Sequence, residues 1–154
     1  MSSPRRTTLI AVLAISSPVS LGAETLIRKA LFTADMREMR ALLNPFLTPV
    51  AWVLLAVTSV AALAGVPAHR AVHRRLVDKL GERRSDPVAC ASTDTMALYI
   101  ASSVVQFPTL AATMTFTMGA DLVPVFAALW VAAFAVVAMG VFGAKPLVAS
   151  LPAK

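Results

Sequence analysis

The chain has 154 residues, of which 58% are hydrophobic and 14% are charged. Soluble domains average roughly 45–50% apolar and about 25% charged residues, so this composition is typical of a membrane protein. The length accommodates one compact helical bundle and excludes a separate soluble catalytic domain of ordinary size.

The formal net charge is +6, and the basic residues flank apolar stretches without interleaved aromatic residues. Lys and Arg in such positions are typical of cytoplasmic flanks of membrane spans, not of a nucleic-acid-binding surface. We therefore expect contact with a lipid bilayer and no nucleic-acid partner. Cys90 is the single cysteine, which excludes an intramolecular disulfide.

The first predicted span covers residues 7–27. Polar residues recur there at every fourth position, at Ser16, Ser20 and Glu24, and Arg28 continues the series. Residues four apart share one face of a helix, so Glu24 and Arg28 are spaced to pair. Polar groups in hydrocarbon cost free energy unless they have partners, so this face should pack against protein.

The same residues also permit a secretory signal peptide. Arg5 and Arg6 precede a short apolar run, and Ser20 and Gly22 lie three and one places before a possible cut at Ala23. Apolar character resumes beyond this point, which favours a retained helix. A mature N-terminus at Ala23, found by mass spectrometry, would remove the first span.

Amphipathic stretches flank the second predicted span, residues 46–66. Residues 35–43 predict a short interfacial helix that Asn44-Pro45 ends. Residues 68–84 predict either a helix on the anionic inner leaflet or a cytoplasmic extension of the second span, with Gly81 as its C-cap. Anionic headgroups are expected at the basic residues of this stretch: Arg70, Arg74, Arg75 and Lys79.

Residues 85–94 are polar and predict a loop, which completes a basic connection over residues 67–95. The third and fourth spans are predicted at 96–118 and 121–143, with Asp121 as N-cap of the fourth and alanines that allow close packing. Polar residues at helical spacing predict one stripe along the third span: Thr95, Tyr99, Ser102, Gln106, Thr109, Thr113 and Thr117. That stripe should face protein or a wet cavity.

Ten of the 14 Lys and Arg residues lie in the head, the 67–95 connection and the tail. The side with more Lys and Arg is normally cytoplasmic, so both termini are predicted to be inside. Paired residues also match at constant offsets between the two halves, for example Pro49-Val50 with Pro124-Val125. This suggests a duplicated hairpin, although chance similarity among common membrane residues explains the matches equally well.

We expect any functional site to lie where polar side chains occur within or beside the spans. These candidate residues are Glu24, Arg28, Ser102, Gln106, Thr109 and Thr113. An intramembrane acid is a functional candidate by default, but ion or proton paths usually need several ionisable groups, and apart from the predicted cap Asp121 at the start of the fourth span Glu24 is the only acid in the spans. We therefore favour contacts between helices at these residues.

His69 and His73 are one helical turn apart, which could place two imidazoles on one metal. A third ligand, from Cys90 or Asp94, would require a folded loop, so we expect no metal site. No phosphate-binding loop, nucleophile elbow, zinc-protease pair or CxxC motif occurs, and no cofactor is expected.

The sequence thus predicts an all-α integral membrane protein, with four transmembrane helices as two hairpins and short amphipathic interfacial helices. The favoured function is a non-enzymatic membrane subunit or scaffold that binds partner helices or copies of itself. The alternative is a small transporter or channel component with a polar path in an oligomer. A membrane enzyme acting on lipid or quinone is a weaker alternative.

Overall fold

The computed structural model describes residues 4–31, 34–145 and 147. Within these residues it contains no strand and is all-α, as predicted. The helices are α1 (Pro4–Leu31), α2 (Ala34–Leu80), α3 (Pro87–Met118) and α4 (Leu122–Phe142), and a 3₁₀ helix, Gly81–Ser85, joins α2 to α3.

Each of the four α-helices is long and apolar enough to cross a membrane, which indicates a multi-pass membrane protein. The first three predicted spans fall within α1, α2 and α3, and the fourth exceeds α4 by one residue at each end. The possible cleavage point before Ala23 lies inside α1, which continues without interruption from Pro4 to Leu31.

The second helix differs from its prediction. It runs unbroken through Pro45, Pro49 and Pro67, so the prediction that Asn44-Pro45 ends a helix is wrong. The stretches predicted as short interfacial helices are the two ends of α2, and residues 68–80 extend the second span. With 47 residues, α2 is about 70 Å long, more than twice the thickness of a hydrocarbon core of about 30 Å.

Side chains explain why α2 continues past Asn44. Arg40, Asn44 and Thr48 are spaced by four residues, and all three bond to the last turn of α3 or to the segment that follows it. The helical conformation aligns these three side chains on one face. A proline in a helix interior costs about 3 kcal/mol and therefore tends to end the helix. These tertiary contacts oppose that tendency.

The predicted loop at residues 85–94 is also wrong, because α3 begins at Pro87. Asp86 is its N-cap, and one carboxylate oxygen accepts a hydrogen bond of 2.8 Å from the Val88 amide. Proline at the first helical position has no amide to leave unpaired, so Asp-Pro is a favourable helix start. At the other end of this connection Gly81 has φ 49° directly after α2, the conformation expected of a C-cap glycine.

Helices α2, α3 and α4 pack against one another, and α1 lies on α4 and over a shorter length on α3. Within the described residues α1 and α2 do not approach each other closely. Ile10 of α1 meets Gly140 of α4, so the start of α1 lies beside the end of α4.

The core of the bundle consists largely of small residues. One cluster centres on Ala101, Val105 and Ala132, and a second on Ala112, Ala128 and Leu129. Small side chains let helix backbones approach closely, so the alanine-rich α4 packs against all three other helices.

Candidate functional site: a polar seam between two helices

Polar residues line the facing sides of α1 and α3, and we call this set of residues the polar seam. On α1 it comprises Ser16, Ser20, Glu24 and Arg28, and on α3 it comprises Ser102, Gln106, Thr109, Thr113 and Thr117. The structure brings the two ends of the seam together through direct hydrogen bonds. Its middle stays open as a groove.

Gln106 makes the first direct contact. Its Nε2 donates a 2.9 Å hydrogen bond to the backbone carbonyl of Leu13 on α1, and the Ser16 hydroxyl donates to the same oxygen at 3.0 Å. Pro18, five residues further along α1, lacks the amide that would continue the hydrogen-bond ladder in this turn. The Gln106 amide therefore ties α3 to a weakened turn of α1.

Glu24 makes the second direct contact. Its Oε1 accepts a hydrogen bond from the Thr117 hydroxyl of α3 and another from Nη2 of Arg28 at 2.8 Å. The Arg28 side chain is 8% exposed and that of Glu24 is 16% exposed, so the ion pair is largely withdrawn from solvent. Glu24 is thus a paired carboxylate with a hydroxyl donor, not an isolated acid.

The ring of Phe116 organises the charges beside this pair. The guanidinium carbon of Arg28 lies 3.5 Å from the ring centroid, and that of Arg40 on α2 lies 5.9 Å from it. Arg40 also donates a 3.0 Å hydrogen bond from Nη2 to the Phe116 carbonyl. Cation–π contacts of this kind gain strength when they are desolvated, so Phe116 links α1, α2 and α3 at this end of the bundle.

Apart from Thr117, which donates to Glu24, the α3 hydroxyl groups of the seam donate within their own helix. Ser102 donates to the Tyr99 carbonyl at 3.0 Å, Thr109 to Gln106 at 2.6 Å and Thr113 to Thr109 at 2.9 Å. A hydroxyl that donates its hydrogen still has oxygen lone pairs that can accept. The surface of the seam is therefore richer in acceptors than in donors.

A groove of about 330 Å³ opens between α1 and α3 along the middle of the seam. Its volume is at the lower end of the range for small ligand sites and side-chain pockets. Six of its lining residues carry hydroxyl or amide groups and three are apolar: Ser16, Ser20, Ser103, Gln106, Thr109, Thr113, Phe107, Leu110 and Leu129.

Not all predicted polar positions reach the seam. Ser102 and Thr109 are buried, whereas Tyr99 is 61% exposed and Thr95 is exposed on the outer surface of α3. Asp121 occupies the N-cap position of α4 but makes no capping hydrogen bond. Its carboxylate accepts instead a 2.9 Å hydrogen bond from the Asn44 side chain of α2. The residue predicted as a helix cap therefore joins α4 to α2.

The histidine pair lies at the opposite end of the bundle. His73 is 2.8 Å from Asp94 Oδ1, and the other carboxylate oxygen accepts from the Leu147 amide at 2.9 Å. Nδ1 of His69 accepts from the Ala144 amide at 3.2 Å. Among the described residues no three His, Cys, Asp or Glu side chains converge on a possible metal position. His69 and Asp94 therefore hold the chain that follows α4, and His73 contacts the Asp94 carboxylate.

The basic residues predicted to meet lipid headgroups lie near the histidines, on exposed positions of α2: Arg70, Arg74, Arg75 and Lys79. Arg70 also donates a 2.6 Å hydrogen bond to the Phe142 carbonyl at the end of α4. One of the four cations thus has a contact inside the protein.

Three contributors to the other end of the bundle were not singled out from the sequence. Arg40, Asn44 and Thr48 all reach the end of α3 or the segment that follows it, and Asn44 Nδ2 donates to the Gly119 carbonyl at 2.9 Å. Their spacing of four residues was a readable signal. It was hidden by the prediction that the helix ends at Asn44-Pro45.

No protein family model matches this chain, and neither a curated protein nor a solved structure is significantly similar to it.

Proposed function

We propose that this protein is a non-enzymatic membrane subunit that binds a helix of a partner membrane protein in the groove between α1 and α3. The supporting observation is a groove lined by Ser, Thr and Gln side chains between two helices that are apolar enough to cross a membrane. In hydrocarbon such groups favour a polar neighbour, because lipid tails offer no hydrogen bonds.

The chemistry of the groove favours a donating partner. The hydroxyls of Ser16, Ser103, Thr109 and Thr113 all donate to carbonyls of their own helices. Two copies of an acceptor-rich surface would complement each other poorly, which favours a different polypeptide over a second copy at this groove. An Asn, Gln, Trp or Tyr side chain on the partner helix would supply the donor.

Replacing the groove hydroxyl of Thr113 with a methyl group tests this proposal. We expect Thr113→Val to lower partner affinity about threefold, since a polar contact between membrane helices contributes about 0.6 kcal/mol on average. The readout is the fraction of complex retained in native mass spectrometry in mild detergent.

The matched control is Thr95→Val. Thr95 donates to the carbonyl four residues earlier, as Thr113 does, but it is exposed and does not line the groove. The control should retain the complex at the level of the parent protein. Equal retention by both variants would refute the role of the groove.

The second candidate function is a transporter or channel component in which several grooves line a polar path. The hydroxyl-lined groove also supports this function, although Glu24 at its end is already paired. A solute flux in proteoliposomes that Gln106→Leu abolishes without loss of complex assembly would favour the transporter over the subunit.

For the orientation, we propose two hairpins by chain connectivity, α1–α2 and α3–α4, with both termini and the α2–α3 connection in the cytoplasm, although among the described residues α1 packs on α4 and not on α2. Two facts support this orientation. Ile10, His69 and Gly143 lie at one end of the bundle, whereas Arg40 and Gly119 lie at the other. The first of these ends carries most of the Lys and Arg residues, as a cytoplasmic side normally does. In a Cys90→Ser background, an impermeant maleimide applied to intact cells should label Leu122→Cys and spare Glu82→Cys. The reverse labelling would invert the orientation.

We further propose that the exposed Arg74, Arg75 and Lys79 contact anionic headgroups of the inner leaflet. A basic residue near such a surface contributes about 1 kcal/mol. Variants that lack these cations should be extracted more easily than the parent from anionic membranes. If the variants are instead harder to extract from anionic than from neutral membranes, the result is inconsistent with this contact.

A further inference from the structure

We propose that a second cavity, at the end of the bundle where α3 turns into α4, binds a phosphate group. The ligand is either the headgroup of a phospholipid or a soluble phosphate compound. This site is separate from the groove between α1 and α3 and does not depend on the partner proposed for that groove.

The cavity has a volume of about 410 Å³ and is lined by Arg37, Arg40, Ala41, Asn44 and Gly119. Two of these five described residues are cations, and none is acidic. Arg37 and Arg40 are three residues apart on α2 and therefore project from the same side of the helix. Guanidinium groups match the geometry of phosphate oxygens and can bind them through two parallel hydrogen bonds.

The charges around the Phe116 ring, one of which belongs to the cavity residue Arg40, also favour an anion. Arg28 and Arg40 both lie over the Phe116 ring, and the carboxylate that pairs with Arg28 is that of Glu24. Arg28 is 8% exposed, and its buried Nε has no hydrogen-bond partner among the described residues. Positive charge withdrawn from water is costly unless it is compensated. The two guanidinium groups and the Glu24 carboxylate together carry a net positive charge, and Arg40 also lines the cavity, so an anion in the cavity is electrostatically favoured.

The position of the cavity along α2 matches the level of lipid phosphates. Arg40 precedes the start of the apolar stretch at Phe46 by six residues, which corresponds to about 9 Å of helix. The headgroup layer adds about 5–8 Å on each side of the hydrocarbon core. The Arg40 side chain can therefore reach a phosphate in that layer.

Native mass spectrometry with a defined lipid tests the proposal. The full chain in maltoside micelles is titrated with dioleoyl-phosphatidylglycerol, and in parallel with dioleoylglycerol, which lacks the phosphate. All proteins carry Arg74→Gln and Arg75→Gln, which removes two exposed cations from the other end of α2. We expect one phosphatidylglycerol to bind more tightly than dioleoylglycerol.

The variants Arg37→Gln and Arg40→Gln should each lower the affinity for phosphatidylglycerol by about tenfold or more, since each removes a charge-assisted hydrogen bond. Lys145→Gln removes the same charge from an exposed position outside the cavity and should change the affinity by less than about twofold. Arg37 is exposed, so its replacement should leave the fold intact even if Arg40→Gln disturbs the Phe116 contact.

Inorganic phosphate identifies the source of the phosphate group. If millimolar phosphate displaces phosphatidylglycerol from the parent but not from Arg37→Gln, the site accepts a soluble phosphate compound. If phosphate displaces nothing while the Arg37 effect persists, the site is a lipid headgroup site. Phosphatidylglycerol binding by Arg37→Gln that equals binding by the parent would overturn the proposal.

Discussion

Two constraints act on Gly119, the residue that ends α3. Its φ is 138°, a conformation that L side chains rarely adopt. A Cβ added there would lie 2.6 Å from the backbone carbonyl oxygen of Arg40, which α2 holds in place. The close approach of α2 to the α3–α4 turn therefore requires glycine at this position.

We expect Gly119→Ala to lower the free energy of unfolding by about 2–4 kcal/mol, from backbone strain combined with overpacking. Gly22→Ala is the matched control, because nothing lies within 4 Å of a Cβ added to this helical position. The control should stabilise the protein by about 0.5–1 kcal/mol. Thermal unfolding in detergent measures both, and equal midpoints for the two variants would contradict this reading of Gly119.

Individual polar residues could be assigned from the sequence only in part. The spacing of Glu24 and Arg28 predicted a possible pair because both partners are visible as residue types. The partner of Gln106 is the backbone carbonyl of Leu13, and its availability depends on how α1 is placed against α3. A backbone acceptor has no signature in the sequence. Periodicity could therefore predict which face of α3 carries Gln106, but not the hydrogen bond that its side chain makes.

At the level of helices, α2 shows where local signals mislead. Asn44-Pro45, Pro49 and Pro67 each favour a helix end when they are considered alone. The polar residues Arg40, Asn44 and Thr48 favour continuity through contacts with residues more than 70 positions away. Such contacts become visible only after the helices are assembled, so the spans could be predicted while their true limits could not.

A distance measurement tests the continuity of α2. Leu42 and Leu63 are both exposed and flank Pro45 and Pro49. Spin labels at these positions, in a Cys90→Ser background, should be about 32 Å apart along a continuous helix, apart from the length of the label arms. A separation shorter by 10 Å or more would show that the chain turns at Asn44-Pro45.

At the scale of the whole molecule, some polar residues join helices of the bundle and others border the open groove. Glu24, Arg28 and Gln106 hold α1 to α3 through Thr117, the Phe116 ring and the Leu13 carbonyl. Ser16, Ser103 and Thr113 border the open groove. The number of spans and the existence of two polar faces could be predicted from apolar length and helical spacing. The groove could not, because its shape depends on the relative position of α1 and α3.

The central claim is that this groove receives a helix of another membrane protein. Native mass spectrometry of the wild-type chain, extracted from its own membranes in mild detergent, measures this most directly. We expect a complex with one other polypeptide in a fixed ratio, which Thr113→Val weakens and Thr95→Val does not. Detection of this chain alone, or only of copies of itself, at protein levels that preserve other membrane complexes would contradict the claim.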